Sequence, residues 1–211
     1  MRIVVLSNES LKMELLAQGI AEDVRVQWLN ETASLLQYPD SDAYIDLLFD
    51  NNSERIKILQ QLQPKTILVN AVIPVLDQLP GGFIRFNGWN TFLNRPQVEA
   101  TASDKNSQTK AAEIFSLFNK KPEWVQDIPG FISPRIIAMI INEAWFALEA
   151  GISTKTEIDT AMKLGANYPF GPFEWGEKIG LKKVYELLDT LSKTNKKYEP
   201  APLLKKEVVN K

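Results

Sequence analysis

A chain of 211 residues with 24 Lys and Arg against 26 Asp and Glu is long enough to bury roughly 70% of the surface its unfolded form exposes, and its near-neutral balance argues against a nucleic-acid partner. It contains no cysteine and no histidine, which excludes disulfides, thiolate chemistry and any mechanism resting on an imidazole base unless another residue has taken over that task. No run approaches the ~18 apolar residues of a membrane span, and Met1 to Leu6 is too short and too soon interrupted for a signal peptide, so a cytoplasmic protein without membrane contact is expected.

Residues 2–6 form an apolar run fit for a buried parallel strand, Ser7-Asn8 can cap a helix after it, and Leu11, Leu15, Leu16 and Ile20 make the stripe of that helix. Val24 to Leu29, Tyr44 to Phe49 and Lys65 to Val72 read as further strands, with a helix through Ile56, Ile58, Leu59 and Leu62 between the last two. Phe83 to Trp89 and Val98 to Ala102 complete the strands, and Ser107 to Asn119 is the helix after them. Strands alternating with helices predict an α/β Rossmann-like domain, with a trimmed and mostly parallel sheet, over residues 1–126.

From residue 127 the pattern is helical alone. Pro134 to Ala150 carries Ile136, Ile137, Ile140, Ile141, Ala144, Trp145 and Leu148 at helical spacing, and Gly151 is placed to end it. A second helix opens at Ser153 or Thr154, with Glu157 set for a capping box, and shows Ile158, Ala161, Met162 and Leu164 up to Gly165. Tyr168-Pro169-Phe170-Gly171-Pro172-Phe173-Glu174 sets two prolines and a glycine among three rings and predicts a rigid, buried elbow. The stripe on residues 136–148 is apolar around more than one face, which predicts a homodimer through these helices. Trp145 and Trp175 read as core or dimer contacts, Lys193, Lys196, Lys197, Lys205 and Lys206 as a solvated tail, Asp159 as facing solvent, and Glu174 as a cap of the helix entered at Trp175.

The run Asp127-Ile128-Pro129-Gly130-Phe131-Ile132, Arg135, Asn142-Glu143-Ala144, Glu149-Ala150-Gly151, Ile158 to Gly165 and Tyr168 to Glu174 closely resembles the C-terminal domain of 3-hydroxyacyl-CoA dehydrogenases. The likeness runs without gaps over residues 127–191, and Tyr198 to Leu204 resembles the tail. It implies an all-α domain over residues 127–211 which, in the family, mediates dimerisation and forms one side of the acyl-CoA cleft. An acyl-CoA is accordingly a possible ligand.

For residues 1–126 the resemblance implies NAD binding, which asks for a glycine-rich turn after the first strand so that backbone N–H groups can approach the pyrophosphate. Here that turn holds Ser7, Asn8 and Glu9, without a glycine. The acidic residue expected after the second strand is Leu29 or Asn30, with Glu31 displaced by one or two positions. No cofactor is therefore expected.

Phe83 to Ala100 aligns with the family segment that holds the catalytic histidine and, twelve residues on, its paired glutamate. Asn87 stands at the histidine position and Glu99 at the glutamate position. An amide has no basicity near neutral pH, so Asn87 can donate a hydrogen bond but cannot serve as the base. Where the family has a serine-containing loop this chain reads Ala71-Val72-Ile73-Pro74, and the asparagine expected before Arg135 is Pro134. The reading is a 3-hydroxyacyl-CoA dehydrogenase-like protein without NAD-dependent activity, retained for dimerisation and for acyl-CoA or partner binding. The alternatives are a working 3-hydroxyacyl-CoA dehydrogenase with displaced NAD contacts and a substitute base (Glu99 or a lysine), and a purely structural interaction module.

Overall fold

The computed structural model describes residues 1–210 and divides into two compact units, Met1–Phe131 and Ile132–Lys211. In the first, β1 (Arg2–Leu6), β2 (Arg25–Leu29), β3 (Ala43–Asp46), β4 (Thr66–Val69), β5 (Phe83–Phe86), β6 (Gln97–Thr101) and β7 (Lys121–Trp124) form one sheet in the order β2-β1-β3-β4-β5-β6-β7. All neighbours are parallel except β5 and β6. With α1 (Glu9–Leu16), α2 (Ser53–Gln61) and α3 (Lys105–Ser116), this is a Rossmann-like α/β unit.

The pleat explains the cores. Ile3 and Val5 pack on one face with Leu11, Leu15, Ala111 and Phe115 of α1 and α3. Val4 and Leu6 pack on the other with Leu35, Tyr44 and Leu59. Alternate side chains of one strand thus serve both faces, which is why β1 is apolar throughout.

Several expectations need correction. Strands end earlier than their apolar runs, at Asp46, Val69 and Phe86, because Leu47, Ala71, Val72 and Trp89 are buried in the loops beyond the strand ends. Hydrophobicity marks burial there, not extended pairing. β7 is a strand that the sequence pattern does not announce: Lys121-Pro122-Glu123-Trp124 carries a proline and two exposed charges, tolerable because an edge strand needs partners on one side only. The β5–β6 pair runs antiparallel because residues 87–96 turn the chain straight back.

Arg85 of β5 has no exposed surface. Its guanidinium donates to the Ala71 carbonyl (3.0 Å), the Val72 carbonyl (2.9 Å), the Ile128 carbonyl (3.3 Å) and Asp127 Oδ1 (2.6 Å), and lies 4.2 Å from the centre of the Phe131 ring. Asp127 also accepts from Leu76 N, and Gly130 N donates to Val72 O. These bonds make residues 127–131 part of the sheet unit.

The second unit comprises α4 (Ser133–Glu149), α5 (Lys155–Ala166), α6 (Pro172–Ile179), α7 (Leu181–Ser192) and α8 (Pro202–Val209). Thr154 and Glu157 close the expected capping box. α5 passes through Gly165 and stops at Asn167, whose φ of 53° lies in the left-handed region, a conformation asparagine tolerates better than most residues. Val184, Leu187 and Leu188 of α7 are fully buried. Asn142 of α4 holds the segment before α8, donating to Glu199 O and accepting from Ala201 N, each at 2.8 Å.

Asp159 does not face solvent. It is 7% exposed and accepts from Phe173 N (2.8 Å) and Glu174 N (3.1 Å), capping α6 from another helix. Gly171 is required beside it, since an added Cβ would stand 2.3 Å from the Asp159 carboxyl. Glu174 accepts from Gly171 N at 3.1 Å and pairs with Lys163. Of the elbow, Gly171 to Phe173 are buried, Tyr168 and Phe170 are half-buried and Pro169 is exposed. Only part of the expected apolar face of α5 is turned inward: Ile158 and Met162 are half-buried, while Ala161 is exposed and Leu164 is 83% exposed. Trp145 and Trp175 are core residues of this unit, each 3% exposed.

Candidate functional site

In an open parallel sheet, ligands bind outside the carboxyl ends of the strands, where the strand order reverses. Here that place is the end of β1, between β2 and β3. β1 delivers Ser7, whose hydroxyl donates to Asn8 O at 2.7 Å. Asn8 is the N-cap of α1 and its side chain accepts from Leu11 N at 2.9 Å. Glu9 stands in the first turn, exposed and 3.5 Å from Lys12. Asn30, at the end of β2, is exposed, and Glu31 precedes a short 3-10 turn without a side-chain bond to it.

The end of β3 holds a residue that sequence reasoning passed over. Asp46 is 1% exposed and accepts from Leu48 N (3.0 Å) and Arg55 Nε (2.8 Å). Burial pushes its carboxyl up to about 6, with Arg55 opposing. A charge inside the apolar run Tyr44-Ile45-Asp46-Leu47-Leu48-Phe49 was the available signal. Asn70, after β4, donates to Leu47 O and Gly88 O and accepts from Gly88 N, all at 2.9 Å. That closeness requires a glycine, since a Cβ at position 88 would meet Asn70 Cγ at 2.7 Å.

Asn87 and Glu99, aligned by resemblance alone, are brought together. Asn87 Nδ2 donates to Glu99 Oε2 at 3.2 Å, Asn87 N donates to Glu99 O at 2.9 Å, and Asn87 Oδ1 accepts from Trp89 N at 3.3 Å. Asn87 is 3% exposed and Glu99 half-buried. Asn90 donates to Ser10 at 3.1 Å, so this loop reaches the first turn of α1. Thr91, with φ of 77°, donates its N–H to both carboxylate oxygens of Glu14 at 2.8 Å. A β-branched residue in that region is strained, and the twofold acceptor helps to hold it. Lys120, 3% exposed, donates to Leu93 O and, at 3.0 Å, to Arg95 O. Burial lowers its ammonium to about 8, with Glu14 opposing. No sequence signal marked Glu14 or Lys120, because both act on backbone atoms of a distant loop.

Among the described residues no group of three or more Asp and Glu is placed to hold a metal ion. None of the described helices is long and apolar enough to cross a membrane.

The sheet unit is followed in the chain by five helices, and this helical part carries the family match: residues 130–211 match the family described as 3-hydroxyacyl-CoA dehydrogenase, C-terminal domain. Among individual relatives, it is 29% identical over 193 residues to the probable 3-hydroxybutyryl-CoA dehydrogenase of Deinococcus radiodurans, covering 84% of this chain and 69% of that protein. It is 37% identical over 115 residues to the 3-hydroxyadipyl-CoA dehydrogenase of Escherichia coli, covering 53% of this chain and 24% of that protein. The chain therefore spans about a quarter of the length of the latter. The crystal structure of (S)-3-hydroxybutyryl-CoA dehydrogenase from Ralstonia eutropha is similar in fold, with a TM-score of 0.76 at 20% identity over 99% of this chain and 93% of that one.

Proposed function

We propose that this chain is a 3-hydroxyacyl-CoA dehydrogenase-type scaffold that does not carry out NAD-dependent hydride transfer and is retained for self-association through its helical unit and for binding an acyl-CoA thioester or a protein partner. The observation that carries the reading is the Asn87–Glu99 pair: a carboxylate is held 3.2 Å from an amide at the position where oxidation of a hydroxyl needs a base. An amide nitrogen cannot take that proton.

The cofactor side agrees. A pyrophosphate at a helix N-terminus needs open amides and close backbone approach. At α1 the Asn8 side chain already accepts from Leu11 N, and Glu9 adds a negative charge in the first turn. These residues do not fit a dinucleotide. Homodimerisation is supported by α4, where Ile136 is 54% and Phe146 38% exposed and Met139 and Ile140 are half-buried along the same side.

Calorimetry with NADH and, separately, with acetoacetyl-CoA tests the proposal. Heat of binding is expected with the thioester and none with NADH, and NADH absorbance should stay constant when both are present. Turnover of NADH well above contaminant level would overturn the reading and favour the working-dehydrogenase alternative. Binding of neither, with a stable dimer, would leave the purely structural alternative.

A further inference from the structure

The two outer strands of the sheet are built differently. At β7, Lys121 N donates to Pro96 O and Val125 N to Ala100 O, so the alternation of a parallel ladder turns the backbone of Pro122 and Trp124 outward. Pro122 has no N–H to offer, and the strand's exposed residues are the charged Lys121 and Glu123. Proline and charge are the usual means of preventing strand addition. At β2, Arg25 N donates to Met1 O and Ser7 N to Leu29 O, so Arg25, Gln27 and Leu29 face β1 while the N–H and C=O of Val26 and Trp28 point away from the sheet. β2 ends the strand order, contains no proline and has only Arg25 as a charge. Residues 26–29 are half-buried, with the Trp28 ring 5.5 Å from the Lys12 ammonium. On the outer side, Trp28 O accepts a weak local bond from Gln27 Nε2 at 3.3 Å.

We propose that β2 is a second self-association site, pairing antiparallel with β2 of another copy about a twofold axis through Gln27. This goes beyond the function proposed above and does not rest on it. The register is self-complementary. With Gln27 on the axis, Val26 stands opposite Trp28 of the other copy, and these are the outward-facing residues, so both positions become hydrogen-bonded pairs with about four bonds across the seam. The side chains so apposed are a β-branched and an aromatic residue, a favourable cross-strand pair. Arg25 meets Leu29, so no like charges face one another within the strand. The contact is isologous and closes on itself.

The test is sedimentation velocity over a concentration series on the full chain, together with hydrogen exchange of the β2 amides. With rising concentration the largest species should double in mass, and the Val26 and Trp28 amides should exchange more slowly while those of Arg25, Gln27 and Leu29 stay as they were. Val26→Pro removes an outward N–H without touching the ladder to β1, and is expected to halve the mass of that largest species. Exchange at Val26 and Trp28 that is independent of concentration overturns the proposal even if the variant misfolds. So does a concentration-dependent doubling that survives Val26→Pro, and if that doubling is instead lost in Ile136→Glu, the interface behind it lies on α4.

Discussion

The helical unit and the sheet unit resemble the family in different ways. In the helical unit the matching residues are ones the fold cannot do without: Asp159 caps α6 across a gap that only Gly171 leaves open, and Asn142 holds the segment before α8. In the sheet unit a fold similar to that of a solved 3-hydroxybutyryl-CoA dehydrogenase at 20% identity leaves the residues at the strand ends free to differ, because a buried parallel strand requires only apolar side chains. The strong likeness of the C-terminal half therefore reports how that half folds, and carries little information about whether the chain oxidises an alcohol.

The largest expected effect lies in the sheet unit, where one buried charge ties several loops together. Arg85→Met removes the partner of Asp127 and of the Ala71, Val72 and Ile128 carbonyls, and breaking such a buried pair costs about 3–5 kcal/mol. Urea denaturation should show a lower midpoint. A loss under ~1 kcal/mol would mean that the clamp is worth no more than a surface pair.

In the helical unit, Asp159→Ala should cost about 1–3 kcal/mol, since it leaves two amides of α6 without their acceptor. Gly171→Ala brings a methyl within 2.3 Å of the same carboxyl and should cost a similar ~1–3 kcal/mol by overpacking. The two share one space, so the double variant should be more stable than the sum of the single losses predicts, by about 0.5–3 kcal/mol. Additive losses would break the argument that this turn is what the family likeness records.

Acidity separates the units further. Burial raises Asp46 to about 6 from 3.8, so the folded state binds this proton more tightly than the unfolded chain. The contribution of this group to stability is fully present below the unfolded value and is lost as pH rises through about 6. Denaturation midpoints between pH 7 and 4 should carry this term in the parent, and Asp46→Asn should remove it. A pH dependence identical in the two proteins would show that Arg55 compensates the burial in full.

Much of this fold could be read from the residues. The apolar runs located β1 to β6, the capping box fixed the start of α5, and the paired prolines marked the turn before α6. What escaped was set by partners far along the chain. β7 forms because β6 offers it an edge, against its own composition, and Asp159 looked like a surface charge because nothing near it in sequence announces the amides of Phe173 and Glu174. At the candidate site, alignment placed Asn87 and Glu99 twelve positions apart, and antiparallel pairing of β5 with β6 makes them neighbours. Glu14 and Lys120 recognise backbone atoms of the 91–95 loop, which leave no mark in sequence.

The smallest expected effect is the most informative about the difference between the units. Asn87→His puts an imidazole beside Glu99, in the arrangement where a carboxylate orients a base; fitting the larger ring at a position that is 3% exposed should cost about 1–3 kcal/mol, while no change in activity is expected. On the proposed reading the variant does not oxidise NADH with acetoacetyl-CoA, because Asn8 still caps α1 with its own side chain and Glu9 still stands in the first turn. Glycines at positions 7 and 8 with Glu9→Ala, added to Asn87→His, then ask whether the topology retained in the sheet can still cradle a pyrophosphate. Turnover by Asn87→His alone would mean that the sheet unit lost one catalytic group and kept its cofactor site, and the contrast between the two halves would shrink to a single residue.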